Sequence, residues 1–272
     1  MKTFWLSLCW ACVLVFLGFP RPAQAQPDSP DGITYRTGYA VIMSLGSDLY
    51  KSLESKYQKV IHKQPIFLET DMMPSIKLVE YDDETPPMRA VFISAGFIDL
   101  MNYVAHARAI DRIEKGYFQK YIVSLAQETG EKELHEPPNL KDKRYWTDDM
   151  LNEQKSNFNQ MVGMVVAIEL THHYLGHFTK YKGKLEDDKG KTLPINNFLT
   201  TAEWEESLKW GARNALDAGL GVEGIKALYD AIDKMPKRPA WTAYFLPANV
   251  KVDKVKKDLE KWEKRFFAGQ SF

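Results

Sequence analysis

From about Tyr39 to Ile61, apolar residues recur at helical spacing: Ile42, Leu45, Leu49, Leu53, Tyr57, Val60 and Ile61. The period changes to two over Ser75–Tyr81, and a second strand-like run, Arg89–Ser94, ends before Gly96. The polar loop Asp82–Pro87 separates the two runs, so they are expected to pair antiparallel. Phe97–Ala109 reads as a helix that carries on toward Tyr121 and Leu125. Glu128–Tyr145 is charged, holds Pro137-Pro138, and reads as a loop or insertion. A long helix is expected from Thr147 to His177, then a polar, Gly-containing loop over Tyr181–Asn197. Thr200-Thr201 ahead of Ala-Glu-Trp-Glu-Glu offers an N-cap with acids in the first turn. That helix runs to Ala218 and stops at Gly219. Another covers Val222–Lys234, and an amphipathic helix, Val250–Phe267, comes last. There is no internal repeat. The sum is a mainly helical α+β domain with a small antiparallel sheet near its N-terminal side.

Composition separates the first 25 residues from the rest. They have a basic start at Lys2, an apolar run from Phe4 to Phe19, and Ala23-Gln24-Ala25 before Gln26. This is the layout of a cleavable export signal. The alternative, an uncleaved membrane anchor, needs a longer apolar run. Residues 26–38 are expected to be a polar leader and 39–272 a single domain, with an insertion at about 114–158. After cleavage no transmembrane helix is expected. Cys9 and Cys12 both fall inside the signal, so the exported chain has no disulfide to rely on. That fits a bacterial-type envelope, periplasmic or secreted. Loss of Lys2 and Arg21 leaves 34 of the 36 basic residues against 36 acidic ones, a formal charge of −2. Without a basic excess, nucleic acid is not an expected partner.

The chemistry concentrates in Val166–Phe178, VAIELTHHYLGHF, which holds three of the six histidines. Residues four apart on a helix share a face, and the H-E-x-x-H motif of zinc peptidases uses this spacing to set two histidines on one metal. The aligned residues here are Ile168, Glu169, Leu170, Thr171 and His172: the glutamate and second histidine are present, and isoleucine replaces the first. The string IELTHHYLGH resembles the active-site helix of the HtpX and CAAX-prenyl-protease family of gluzincin peptidases. In that family the third ligand is a Glu within an ExxAD pattern, matched here by Glu203, with Ser207 in place of the Asp. Arg89–Leu100 resembles the family's substrate-side edge strand and the helix start after it, so Ala90, Val91, Phe92 and Ile93 are implied to bind an extended peptide by strand addition. Gly221–Lys234 resembles the helix after the third ligand. Leu246-Pro247 stands where His-Pro is common. The resemblance spans most of Ser75–Phe267, with Glu114–Phe158 poorly matched.

The resemblance implies a metallopeptidase-like (zincin) fold, with Glu169 as general base and His172 and Glu203 as zinc ligands. A catalytic zinc takes three protein ligands and an open position. With Ile168 apolar the site is one ligand short, so zinc is expected to be absent or weakly held. Two substitutes are conceivable. Glu169, His173 and His177 are spaced i, i+4, i+8 and could form their own ligand stripe. The plainer reading makes His177 part of a structural Leu-Gly-His ending and His173 a surface residue. Glu169-x-x-His172 also has the spacing of a di-iron bundle, but no second copy exists. Glu203, Glu205 and Glu206 equally suit a first helical turn, where the dipole favours acids. His62, at a helix end, reads as structural, and His106 and His135 carry no expected role. Two functions follow. One is an exported, non-catalytic pseudo-peptidase that binds a peptide or protein of the cell envelope. The other is an active metal-dependent endopeptidase with altered ligation and Glu169 as base.

Overall fold

The computed structural model describes residues 35–81, 87–128 and 134–272, which fall in one compact unit. The expected export signal, most of the expected leader, residues 82–86 of the loop after Tyr81, and residues 129–133 lie outside the described residues. The first apolar stripe forms helix α1 (Tyr35–Ser52), which begins inside the expected leader and buries Ile42, Leu45 and Leu49. The helix expected to continue to Ile61 instead breaks. A single turn, α2 (Ser55–Gln58), leads into strand β1 (Ile61–Glu69). This strand escapes a period-two search because His62, Lys63 and Gln64 interrupt it and Pro65 cannot donate to a ladder. Its register against its neighbour shifts between Ile61 and Ile66.

Strands β2 (Ile76–Tyr81) and β3 (Met88–Ser94) pair antiparallel, as the alternation predicts, and β1 pairs parallel with β3. The sheet is therefore mixed, with strand order β1-β3-β2, rather than purely antiparallel. This overturns one expectation about the site. Ala90, Val91, Phe92 and Ile93 lie on the central strand, hydrogen-bonded on both sides, so they cannot receive an added strand. The open edge on this side belongs to β2.

Helix α3 (Ala95–Ile110) starts at Ser94, whose hydroxyl accepts from the Phe97 N–H at 3.0 Å. It does not run through to Leu125. The chain turns at Asp111–Gly116 and restarts as α4 (Tyr117–Leu125). The charged segment after α4 is fastened to the domain. The Tyr117 hydroxyl donates to the Pro138 carbonyl, the Tyr121 hydroxyl donates to the His135 carbonyl at 2.9 Å, and Leu134 and Tyr145 are buried in the main core.

Helix α5 (Asp148–Tyr174) is the longest element. Five-residue α6 (His177–Tyr181), then α7 (Thr201–Asp217), α8 (Glu223–Asp233) and α9 (Val252–Phe267) complete the chain. From Met161 to His173 every residue of α5 is buried, with α1, α3, α7, α8 and the sheet around it. A second, small core of Phe178, Tyr181, Leu185 and Ile195 holds a strap, residues 182–197, beside β2. Among the described residues no helix is long and apolar enough to cross a membrane.

The approach of α7 to α5 depends on Gly211. A β-carbon there would stand 2.7 Å from Ile168 Cγ1 and 2.8 Å from the Ile168 Cα and N. Backbone atoms cannot move aside as a side-chain tip can, so Gly211→Ala should wedge the helices apart. The expected loss is about 1–3 kcal/mol, read as a lower urea midpoint with an unchanged slope.

Candidate functional site

Of the four site residues expected on this helix, Glu169, His172 and His173 share the last two turns of α5, and burial sets the behaviour of each. Glu169 is 4 % exposed and its carboxyl meets no hydrogen-bond partner among the described residues. Burial disfavours the charged form and pushes its pKa up to about 8, so it is a neutral acid at pH 7.

His172 is fully buried. Its Nδ1 lies 3.2 Å from His177 Nδ1 and 3.1 Å from Ser207 Oγ, and Ser207 Oγ is 3.2 Å from His177 Nδ1. The three atoms form a nearly equilateral triangle. Desolvation holds His172 well below its ordinary value, reinforced by His177 and His173 and opposed by Glu203. Burial also lowers His177. Two neutral rings and one hydroxyl can therefore share protons with no net charge. A serine beside a histidine is also the pairing of a nucleophile and its base. Here Ser207 and His172 are both 0 % exposed, so the triangle lies out of reach of any substrate and acts as an internal polar knot.

His177 reaches this knot because α5 stops short of it. Gly176 adopts φ +81°, a left-handed conformation that glycine takes at no steric cost. The chain turns there, so His177 begins α6 instead of extending the Glu169–His173 stripe. The expected i, i+4, i+8 ligand set does not form. His173 is not a surface residue either: it is 1 % exposed, and its Nε2–H donates to the Ala90 carbonyl at 2.8 Å. Burial pushes its pKa down to about 4.

Glu203 is engaged elsewhere. Thr200 caps α7, accepting from the Glu203 N–H at 3.3 Å, while Glu203 Oε2 accepts from the Thr200 N–H and hydroxyl, both at 2.8 Å. The Tyr181 hydroxyl donates to the same oxygen at 3.0 Å, and Lys180 Nζ donates to Oε1 at 2.7 Å. Burial alone would raise its pKa, but these bonds together bring it down to about 2. Ile168 packs against Gly211 and offers no donor. No group of three His, Cys, Asp or Glu side chains placed to hold a metal occurs among the described residues. Leu246 is buried in the core. Of the other histidines, His106 bonds the Tyr145 carbonyl at 2.8 Å, exposed His135 faces Glu128, and His62 lies in β1 rather than at a helix end.

The accessible chemistry lies beside β2, which no motif marked. The Ser94 N–H donates to the Ser75 carbonyl at 3.1 Å, which fixes the phase of the β2–β3 ladder. Odd-numbered residues of β2 therefore bond β3, and Ile76, Leu78 and Glu80 turn their backbone N–H and C=O groups outward. They open on a cavity of about 600 Å³ between β2 and the strap, with Glu169 on its wall and Phe178, Leu185 and Leu193 opposite. Glu80 accepts from Arg89 Nε at 2.6 Å and from Lys182 Nζ at 3.2 Å, joining β2 to β3 and to the strap. Burial opposes ionisation of Glu80, but the two cations hold it below the usual range. Arg89 also donates to the His173 carbonyl at 3.4 Å, at the C-terminal end of α5.

No protein-family model, curated protein or solved structure matches the chain. The likeness to gluzincin peptidases rests on the motifs alone.

Glu169 gives the protein a distinctive pH response. Its folded pKa is about 8 and its ordinary value 4.5, so its contribution is complete below pH 4.5 and is lost as pH rises to 8. The buried histidines act oppositely: their unfolded rings finish titrating between pH 6.5 and 8, which adds stability to every variant that keeps them. The comparison with Glu169→Gln isolates the carboxyl. From pH 6.5 to 8 the unfolding free energy of the wild type should fall by roughly 1.5–2 kcal/mol relative to that of Glu169→Gln. Urea titrations at the two pH values measure both.

Proposed function

We propose that this chain is an exported, non-catalytic, peptidase-like protein that binds an extended peptide segment of an envelope protein along β2. The observation that carries this reading is the row of outward backbone groups at Ile76, Leu78 and Glu80, facing a cavity of about 600 Å³. A strand added there would complete three residues' worth of hydrogen bonds that β3 does not use. A further observation supports the non-catalytic half: Glu203, the implied third ligand, is taken up by its capping box and by Lys180. In this reading the polar knot of His172, His177 and Ser207 keeps the peptidase-like helices together after the ligand position at Ile168 has become apolar.

Two measurements test it. Purified protein should carry far less than one zinc per chain and show no chelator-sensitive proteolysis. One zinc per chain together with proteolysis abolished by chelator would overturn the reading. For docking, Leu78→Pro removes an outward N–H while leaving every bond to β3 in place, so the fold should survive. Binding of decapeptides selected from a random phage-displayed library should weaken about tenfold or more, from the lost bond and the ring's bulk. Unchanged binding would place the ligand elsewhere.

A further inference from the structure

The groove does not end with the cavity beside Ile76–Glu80. A second cavity of about 480 Å³ continues it toward Asp71–Ser75, and Lys77, Thr192 and Leu193 line both. The walls differ in character. The first cavity is bordered by Glu69, Glu80, Glu169 and Glu186; the second is lined by Pro74, Pro194, Trp241 and Tyr244.

The polar groups of the second cavity are mostly spoken for. The Tyr244 hydroxyl donates to the Thr192 carbonyl at 3.1 Å, which leaves its ring as the exposed feature. Asp71 Oδ1 accepts from the Met73 N–H at 2.9 Å, and Lys77 pairs with Glu69 at 2.6 Å. At the rim, Asp71 and Lys191 cancel in charge. Trp241 is a fixed wall: its ring meets Phe245 edge-on at 6.1 Å, and Phe245 stacks on core residue Phe97 at 5.8 Å. Its Nε1–H is buried without a partner, a cost the chain bears at this pocket and nowhere else among its described indoles. Met72, 40 % exposed, stands in the same Asp71–Ser75 segment and adds apolar surface there.

We propose that this second cavity is a side-chain pocket for an aromatic residue of the bound peptide, so that the ligand is an extended peptide read at one position by its ring. The assignment rests on the reading of β2 as a docking edge. Strand addition through backbone bonds is indifferent to sequence, and a pocket at one end of the edge is what supplies selectivity. Prolines and aromatic rings, in a lining whose charges balance, favour a flat apolar group over a charged one. The volume holds a complete ring.

Decapeptides selected from the random library on the purified protein should share Phe, Tyr or Trp at one position. With the tightest of them, its ends blocked, replacing that ring by Ala should weaken binding about thirtyfold. Ala240 is exposed and lines the pocket, so Ala240→Trp fills it from outside without touching the core. This variant should weaken the ring-bearing peptide about tenfold and leave the Ala peptide unchanged. A ring-to-Ala change that costs less than twofold overturns the pocket, as does an Ala240→Trp variant that weakens both peptides equally. In either case a peptide that still responds to Leu78→Pro leaves the docking edge standing. A peptide indifferent to Leu78→Pro removes the edge, and the pocket with it.

Discussion

A helix with no solvent-facing side must give every polar atom on it either a partner or an uncharged state. The second half of α5 is under this constraint from Met161 to His173, and the structure answers it residue by residue. The Thr171 hydroxyl donates to the Ile168 carbonyl at 2.7 Å. His172 shares protons with His177 and Ser207, and His173 donates to the sheet. Glu169 has no such partner and stays protonated. Charge is kept to the periphery, on Glu80, Arg89, Lys180, Lys182 and Glu203, where ion pairs tie the helix ends to β2, β3 and the strap.

Local signals place several elements well. The N-cap at Thr200, the stop at Gly219, the helix over Glu223–Asp233 and the amphipathic last helix all stand close to where the pattern places them. The misreadings have local causes. Strand β1 has a polar interruption and a proline, so it shows neither period. The sheet order is a tertiary fact: alternation in β2 and β3 predicts that they pair, but nothing in either strand reveals that β1 takes the other side of β3. The charged stretch after α4 reads as a loop by composition, yet two tyrosine hydroxyls and the side chains of Leu134 and Tyr145 bind it to the core.

The site was legible in its parts more than in its arrangement. Thr200 and Glu203, three apart, spell a capping box, and that local signal explains Glu203 better than a distant metal does. Gly176 breaks the helix that was expected to run to His177, and so separates His177 from Glu169 and His173. Ser207 looked like a lost aspartate and proved to be the hydroxyl that joins two imidazoles. The outward phase of β2 could not be read at all, because it depends on which residue of β3 faces Ser75.

The contact between Gly211 and Ile168 also bears on what position 168 can hold. One helix has come up against the backbone of the other, so a side chain there has no spare volume beside it. A histidine placed at 168 would find no room and no converging carboxylate, because Glu203 serves its own helix end. The spacing between the two backbones thus restricts position 168 as firmly as the side chains around it do.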